Sequence, residues 1–271
     1  MQELQKNFLI LAVILCLPFN LNSAVEDEKN DLCNSLYLIE QKECAPSEIE
    51  KLLSIVPSKT IGNPGARTMA EGAYNTNYGD TSLDSVTTGV SLSAFGNKAL
   101  RYNTSGSKNS AFGTEALYNN TTGKENNAFG VDALHSNTIG DYNVAMGVNA
   151  LKSNTSGHYN VAVGHEALYS NTSTTSSTAI GFRSQYSNTS GHSNSSLGRG
   201  SLYGNVSGDW NVAVGNHALR GSSMSGDRNT ALGAEALYSN TSGSYNTALG
   251  NSSLYNNKSA THDFLANDAK H

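Results

Sequence analysis

A glycine recurs every 17 residues through most of this 271-residue chain. Gly96, Gly113, Gly130, Gly147, Gly164, Gly181, Gly198 and Gly215 keep the step; after one extra residue Gly233 and Gly250 resume it, and Gly62 and Gly79 lie on the same ladder upstream. A short fixed period means that one structural unit is copied and stacked, each copy burying its apolar positions against the next. Architecture is therefore constrained before any single residue is considered.

With the glycine as position zero, an apolar residue Φ precedes it: Phe95, Phe112, Phe129, Met146, Val163, Ile180, Leu197, Val214, Leu232, Leu249. Alanine fills minus two except at Ser196, and Thr, Val, Ser or Asn fills minus three. Leucine stands at plus four except at Gln185, usually after alanine, and asparagine at plus seven, as in Asn120, Asn137, Asn154 and Asn171. The unit reads N-(T/V)-A-Φ-G-x-x-A-L-x-x-N-T-(S/T)-G-x-x.

That pattern predicts an all-β chain, a parallel β-solenoid of about ten 17-residue coils. Two short strands are expected per coil, around A-Φ-G and A-L, joined by turns of Asn, Ser and Gly. A helical turn over G-x-x-A-L is the competing reading, but the segment is short and ends in N-T-S-G. At roughly 4.8 Å per coil the rod is about 50 Å long. Stacked asparagines can bond amide to amide along it, and Asn and Gly suit left-handed turn backbone. Gly113, Gly130, Gly147 and Gly164 with Asn120, Asn137, Asn154 and Asn171 are thus the expected structural ladders.

Strand alternation puts Φ on the face opposite alanine, and neither face carries charge. A thin solenoid has only one inside, so the second face is expected to meet a partner. A coil that orders 17 residues around one leucine and two alanines is also poorly stabilised alone.

The flanks differ from the array. Residues 1–24 read as a signal peptide: Lys6, the apolar run from Phe8 to Pro18, and small residues at Ser23 and Ala24 before Glu26-Asp27-Glu28. The alternative of lipoprotein processing at Cys16 is disfavoured by the bulky Leu15 before it. Residues 25–60 read as a small helical cap or attachment region. Ser47-Glu48-Ile49-Glu50 is a capping box, and Cys33 and Cys44 are expected to pair in an oxidising compartment. The array spans 61–257, and 258–271 read as a polar tail without period. No membrane-spanning segment is expected in the mature chain, and its localisation reads as secreted or cell surface.

The repeat N-T-A-Φ-G-x-x-A-L-x-x-N-T-S-G, as at Asn229 to Gly243, resembles the YadA-like head repeats of trimeric autotransporter adhesins; similar units occur in phage tail-fibre proteins. The resemblance covers about residues 75 to 257. It implies a left-handed β-roll, three chains packed side by side as a homotrimer, and an adhesin head binding host matrix protein or glycan multivalently. The period here is longer than in the best-known members, which implies a longer turn. The fourteen residues after Asn257 hold no heptad run and no anchor. Attachment is therefore expected through another device, such as the cysteine region.

Catalytic and cofactor chemistry is not indicated. The histidines fall at different phases, and the acids at plus two (Glu115, Asp132, Glu166, Glu235) are interrupted by Asn149, Arg183 and His217, reading as a solvated edge rather than a calcium or glycosidase site. No P-loop, G-x-S-x-G or H-E-x-x-H occurs. A net charge of -5 without a basic block disfavours nucleic acid. No catalytic, cofactor or metal residue is assigned, and the chain reads as a non-enzyme. Tyrosines just after the leucine (Tyr102, Tyr118, Tyr169, Tyr186, Tyr203, Tyr238, Tyr255) suggest either a gripping row or cross-coil stacking. The threonine column at plus eight (Thr104 to Thr241) raises an ice-binding solenoid as one alternative, and a polysaccharide-degrading β-helix is another. N-T-S turns create glycosylation sequons, relevant only in a eukaryotic secretory pathway.

Overall fold

Each coil contributes one three-residue strand, and twelve of these form a single parallel sheet in strict chain order. They are β1 (Thr76–Tyr78), β2 (Ser93–Phe95), β3 (Ser110–Phe112), β4 (Asn127–Phe129), β5 (Val144–Met146), β6 (Val161–Val163), β7 (Thr178–Ile180), β8 (Ser195–Leu197), β9 (Val212–Val214), β10 (Thr230–Leu232), β11 (Thr247–Leu249) and β12 (Phe264–Ala266). The structure is a computed structural model and describes residues 74–266. The signal peptide, the capping-box helix, Cys33 and Cys44 and the array before residue 74 lie outside the described residues. The chain is a parallel β-solenoid, with each strand paired position for position to the next: Ala111 faces Ala128, and Phe112 faces Phe129.

The repeating glycine is imposed by that stacking. Gly113, Gly130, Gly147 and Gly164 have φ of 143°, 138°, 142° and 130°. This is backbone that side chains rarely adopt and glycine enters freely. A Cβ at any of the four would also stand 2.4–2.6 Å from the carbonyl oxygen of the next glycine in the column. Conformation and contact exclude a side chain independently.

The A-L segment is not a second strand. Plus two, plus four and plus twelve take left-handed φ in coil after coil; Glu115, Leu117 and Glu125 have 57°, 52° and 55°. Alternate N–H groups then point along the rod or back into the coil. Leu117 donates to Ala133 O (3.0 Å) and Asn119 to His135 O (3.0 Å), while Ala116 and Asn120 donate within their own coil to Gly113 O and Leu117 O. One segment thereby closes a turn and bonds both neighbours, which a regular strand could not do. The left-handed positions are mostly leucines, charged residues, serines and aromatics; Asn149 is the one asparagine among those described, although asparagine is the residue expected there. From Gly96 onward none of the three positions carries a β-branched residue, for which φ > 0 is severely strained.

Inside lie Ala at minus two, Ala at plus three and Leu at plus four, all without exposure in the regular coils. Their apolar columns give way most fully around Gln185, with a further serine at Ser253. Gln185 replaces leucine, and Ser184, Ser196 and Ser201 replace alanine; Gln185 Nε2 donates to Ser196 Oγ and Thr178 O, both at 2.9 Å, so the substituted layer satisfies its own polar groups.

The sheet also continues into the stretch read as a tail. Phe264–Ala266 pair with β11, although the glycine is missing after them. Asp263 takes the place of the asparagine before the strand; its N–H donates to Asn246 Oδ1 (2.9 Å), and its carboxylate accepts from Asn257 Nδ2 (3.0 Å). Backbone stacking recruits a sequence whose side chains have already left the repeat.

Two substitutions separate these effects. Gly147→Ala is expected to destabilise by about 3 kcal/mol or more, since it adds left-handed strain to an overlap with a backbone carbonyl. Ser176→Gly, at an exposed left-handed position with φ 59°, is expected to stabilise by about 1 kcal/mol. Thermal unfolding of both variants checks the two signs.

Candidate binding face

Alternation along each strand sends Φ outward as alanine goes inward. Phe112 is 37% exposed, Phe129 38%, Met146 46% and Leu197 50%. The rings of Phe95, Phe112 and Phe129 lie parallel, with centroids 4.8 and 4.9 Å apart. Beside this row, plus one carries the exposed side chains Val131, Val148 and Phe182. The sheet's outer face is thus an apolar band running the length of the array, the kind of patch monomeric proteins rarely leave open.

Internal amides hold that face straight. Among the ladder residues named from sequence, Asn120 donates to Asn103 Oδ1 (2.7 Å), Asn137 to Asn120 (2.8 Å), Asn154 to Asn137 (2.8 Å) and Asn171 to Asn154 (2.9 Å). All are fully buried. The chain of amides stops at Asn171, where Thr174 replaces the usual glycine and its backbone and hydroxyl both donate to Asn171 Oδ1.

Sequence reasoning singled out one asparagine column and passed over a second. Asn109, Asn126, Asn143 and Asn160, at minus four, form their own ladder: each Oδ1 accepts the backbone N–H and the amide of the residue one coil on or, at Asn160, the N–H of Ser177. The signal was there, in the asparagine opening the written unit. Burial of Asn120, Asn154 and Asn171 also makes glycan attachment at their N-T-S or N-T-T sequons incompatible with the packed rod.

The tyrosine column forms stacks of its own. Tyr169, Tyr186 and Tyr203 stack face to face at 5.1 and 5.3 Å, and Tyr238 on Tyr255 at 4.9 Å. Ring faces are therefore spent on one another, leaving edges and hydroxyls to solvent. At the acidic edge, His135 meets carboxylates, although the histidines as a set stay at different phases. Its plus-five position reaches Glu115 at plus two of the preceding coil (3.4 Å), and Asp132 completes the cluster. Ion pairing accounts for it: Lys98 bonds Glu115 at 2.8 Å and Lys152 bonds Asp132 at 2.9 Å. The hydrogen bond from Lys98 holds the Glu115 carboxyl below its ordinary pKa. Threonine hydroxyls at plus eight also turn inward to a partner. Thr104, Thr121 and Thr138 each donate to the carbonyl of the next threonine at 2.9–3.0 Å, so their donors are not offered to a flat external lattice.

No helix among the described residues is long and apolar enough to cross a membrane. Comparison with family models, curated proteins and solved structures finds no match.

Asn137 accepts one amide and donates to both Asn120 Oδ1 and Gly140 O. Asn137→Ala strands those buried groups, and a loss of about 2–4 kcal/mol is expected in denaturant unfolding, at unchanged secondary structure.

Proposed function

We propose that this chain is an exported, non-enzymatic fibrous protein that assembles through its apolar band as a homotrimer and binds host or environmental surfaces multivalently. The observation that carries this is the Φ band: an uninterrupted row of half-exposed apolar side chains along one flank of the array. Three rods turning these flanks to a common axis would remove the row from water and supply the burial each thin coil lacks.

The repeat's resemblance to YadA-like adhesin heads supports the same arrangement and supplies the surface-binding role. Export rests on the N-terminal sequence, with cleavage after Ala24. The Cys33–Cys44 region is the proposed attachment device. Repetition then acts as function: weak contacts presented on many coils and three chains sum to avidity.

Light scattering of the mature protein tests the assembly. The expected mass is three times that of one chain. Phe112→Glu with Phe129→Glu, which puts charge into the band while leaving the interior untouched, is expected to give monomers with an unaltered β spectrum. A wild-type monomer, or a trimer indifferent to the double substitution, contradicts the reading.

A further inference from the structure

The 18-residue step between Gly215 and Gly233 coincides with breaks in three neighbouring columns, at plus five, plus six and plus seven, while Ala218, Leu219, Asn229 and Ala231 keep theirs. The coil after Gly215 has no asparagine at plus seven; Met224 fills the interior instead, and its carbonyl accepts from Val206 N–H at 2.9 Å. On the outside the tyrosine column gives way to Arg220. The plus-six column, serine on either side, becomes Gly204 and Gly221. A Cβ there would stand 1.7 and 1.8 Å from carbonyl oxygens of the following coil, so the floor is bare backbone. The result is a cleft of about 700 Å³.

Its lining is selective. Arg220 lies between two tyrosines, its guanidinium carbon 5.2 Å from the Tyr203 ring centre and 5.7 Å from that of Tyr238. Nη1 donates to Tyr238 Oη at 2.8 Å, and Nε is buried without a partner. The two rings hold the guanidinium from either side, and with Nε buried it is the terminal nitrogens that are left for an oxyanion. Lys258 also lines the cleft and adds a second cation. Elsewhere Lys98, Lys108, Lys152 and Arg183 are each tied to a carboxylate, while Arg101, Lys124, Arg199 and Arg228 are not; Arg220 and Lys258 differ from those four in lining one cleft together. Neither Arg220 nor Lys258 makes an ion pair among the described residues, and no acid lines the cleft. The remaining lining is largely hydroxyl, from residues such as Ser222, Ser239 and Thr241.

We infer that this cleft binds an acidic sugar, the carboxylate or sulfate of a polysaccharide unit seated between Arg220 and Lys258 with its ring hydroxyls on the serines and threonine. One positioned cation, a second exposed one and no acid in the lining select an oxyanion. A hydroxyl-lined cleft of this volume suits one or two sugar rings better than an apolar ligand. The inference rests on the surface-binding reading and names the ligand class for it.

Titration calorimetry of the mature chain with short oligosaccharides tests it, because a single small ligand reports on the cleft whatever the state of assembly. Trigalacturonate and a κ-carrageenan tetrasaccharide separate carboxylate from sulfate, with maltotriose and inorganic sulfate as controls. At least one acidic oligosaccharide is expected to bind, and maltotriose not. Arg220→Gln is expected to weaken binding about tenfold or more, Arg220→Lys less, and Lys258→Gln by about threefold, with Lys124→Gln, at an exposed lysine outside the cleft lining, unchanged. Lys258 is exposed, so its variant keeps the test open if Arg220 variants lose their melting transition. Equal losses at Lys124, binding of maltotriose, sulfate binding as tight as the oligosaccharide, or no binding at all would each overturn the inference. A monomer that binds acidic sugar retains the cleft and removes the trimer; a trimer that binds none does the reverse.

Discussion

The structure depends on one close approach: the backbone of each coil passes the next at the repeating glycine, where a carbonyl oxygen occupies the space of a side chain. Everything periodic follows from holding that distance. Strands remain in register, leucine falls on leucine, and a side chain placed once is placed in every coil. A column of asparagines can then act as a continuous chain of amides, since each is carried to hydrogen-bonding distance of the last by the backbone alone. Cross-linking by buried amides replaces much of what a larger apolar core would supply in a globular domain.

The same geometry exposes what it cannot bury. A three-residue strand has two faces, and the coil is too thin to enclose both, so alanine is packed and Φ is presented. The left-handed backbone at plus two, plus four and plus twelve is the cost of closing a coil in so few residues, about 1–2 kcal/mol for each such residue. It persists because N–H groups at those positions bond a neighbouring coil, as Lys98 does to Asp80 O and Lys108 to Val90 O. Local strain and long-range stacking are two sides of one device.

Much of this was legible in the sequence, and for a stated reason. A period in sequence becomes a translation in space, so the columns of glycine, alanine, Φ and Asn120 to Asn171 could be named before any coordinates, as could the two-faced strand. What could not be read was conformation within the coil. Leucine at plus four looks like a strand residue by propensity, and nothing in its side chain announces φ near 50°; tertiary stacking overrides the preference. His135 was missed because contact between plus five and plus two of adjacent coils depends on the turn's path, not on shared phase. The β12 strand was missed because its pairing uses backbone and Asp263, while the glycine and Φ signals had ended. The cleft at Arg220 was visible only as a broken step, a spacing error whose meaning required the shape around it.

The claim beneath all of this is that successive repeats are translated by one strand spacing along a straight axis. Pulsed electron–electron resonance between nitroxides on exposed plus-twelve positions measures that translation directly. Labels at Lys108 and Trp210, six coils apart, are expected at about 29 Å, and labels at Lys108 and Arg228, seven coils apart, at about 34 Å, in spin-diluted samples. Distances that grow by that increment per coil support the account. Distances that fail to scale with the number of intervening glycines, or that spread broadly, would contradict it.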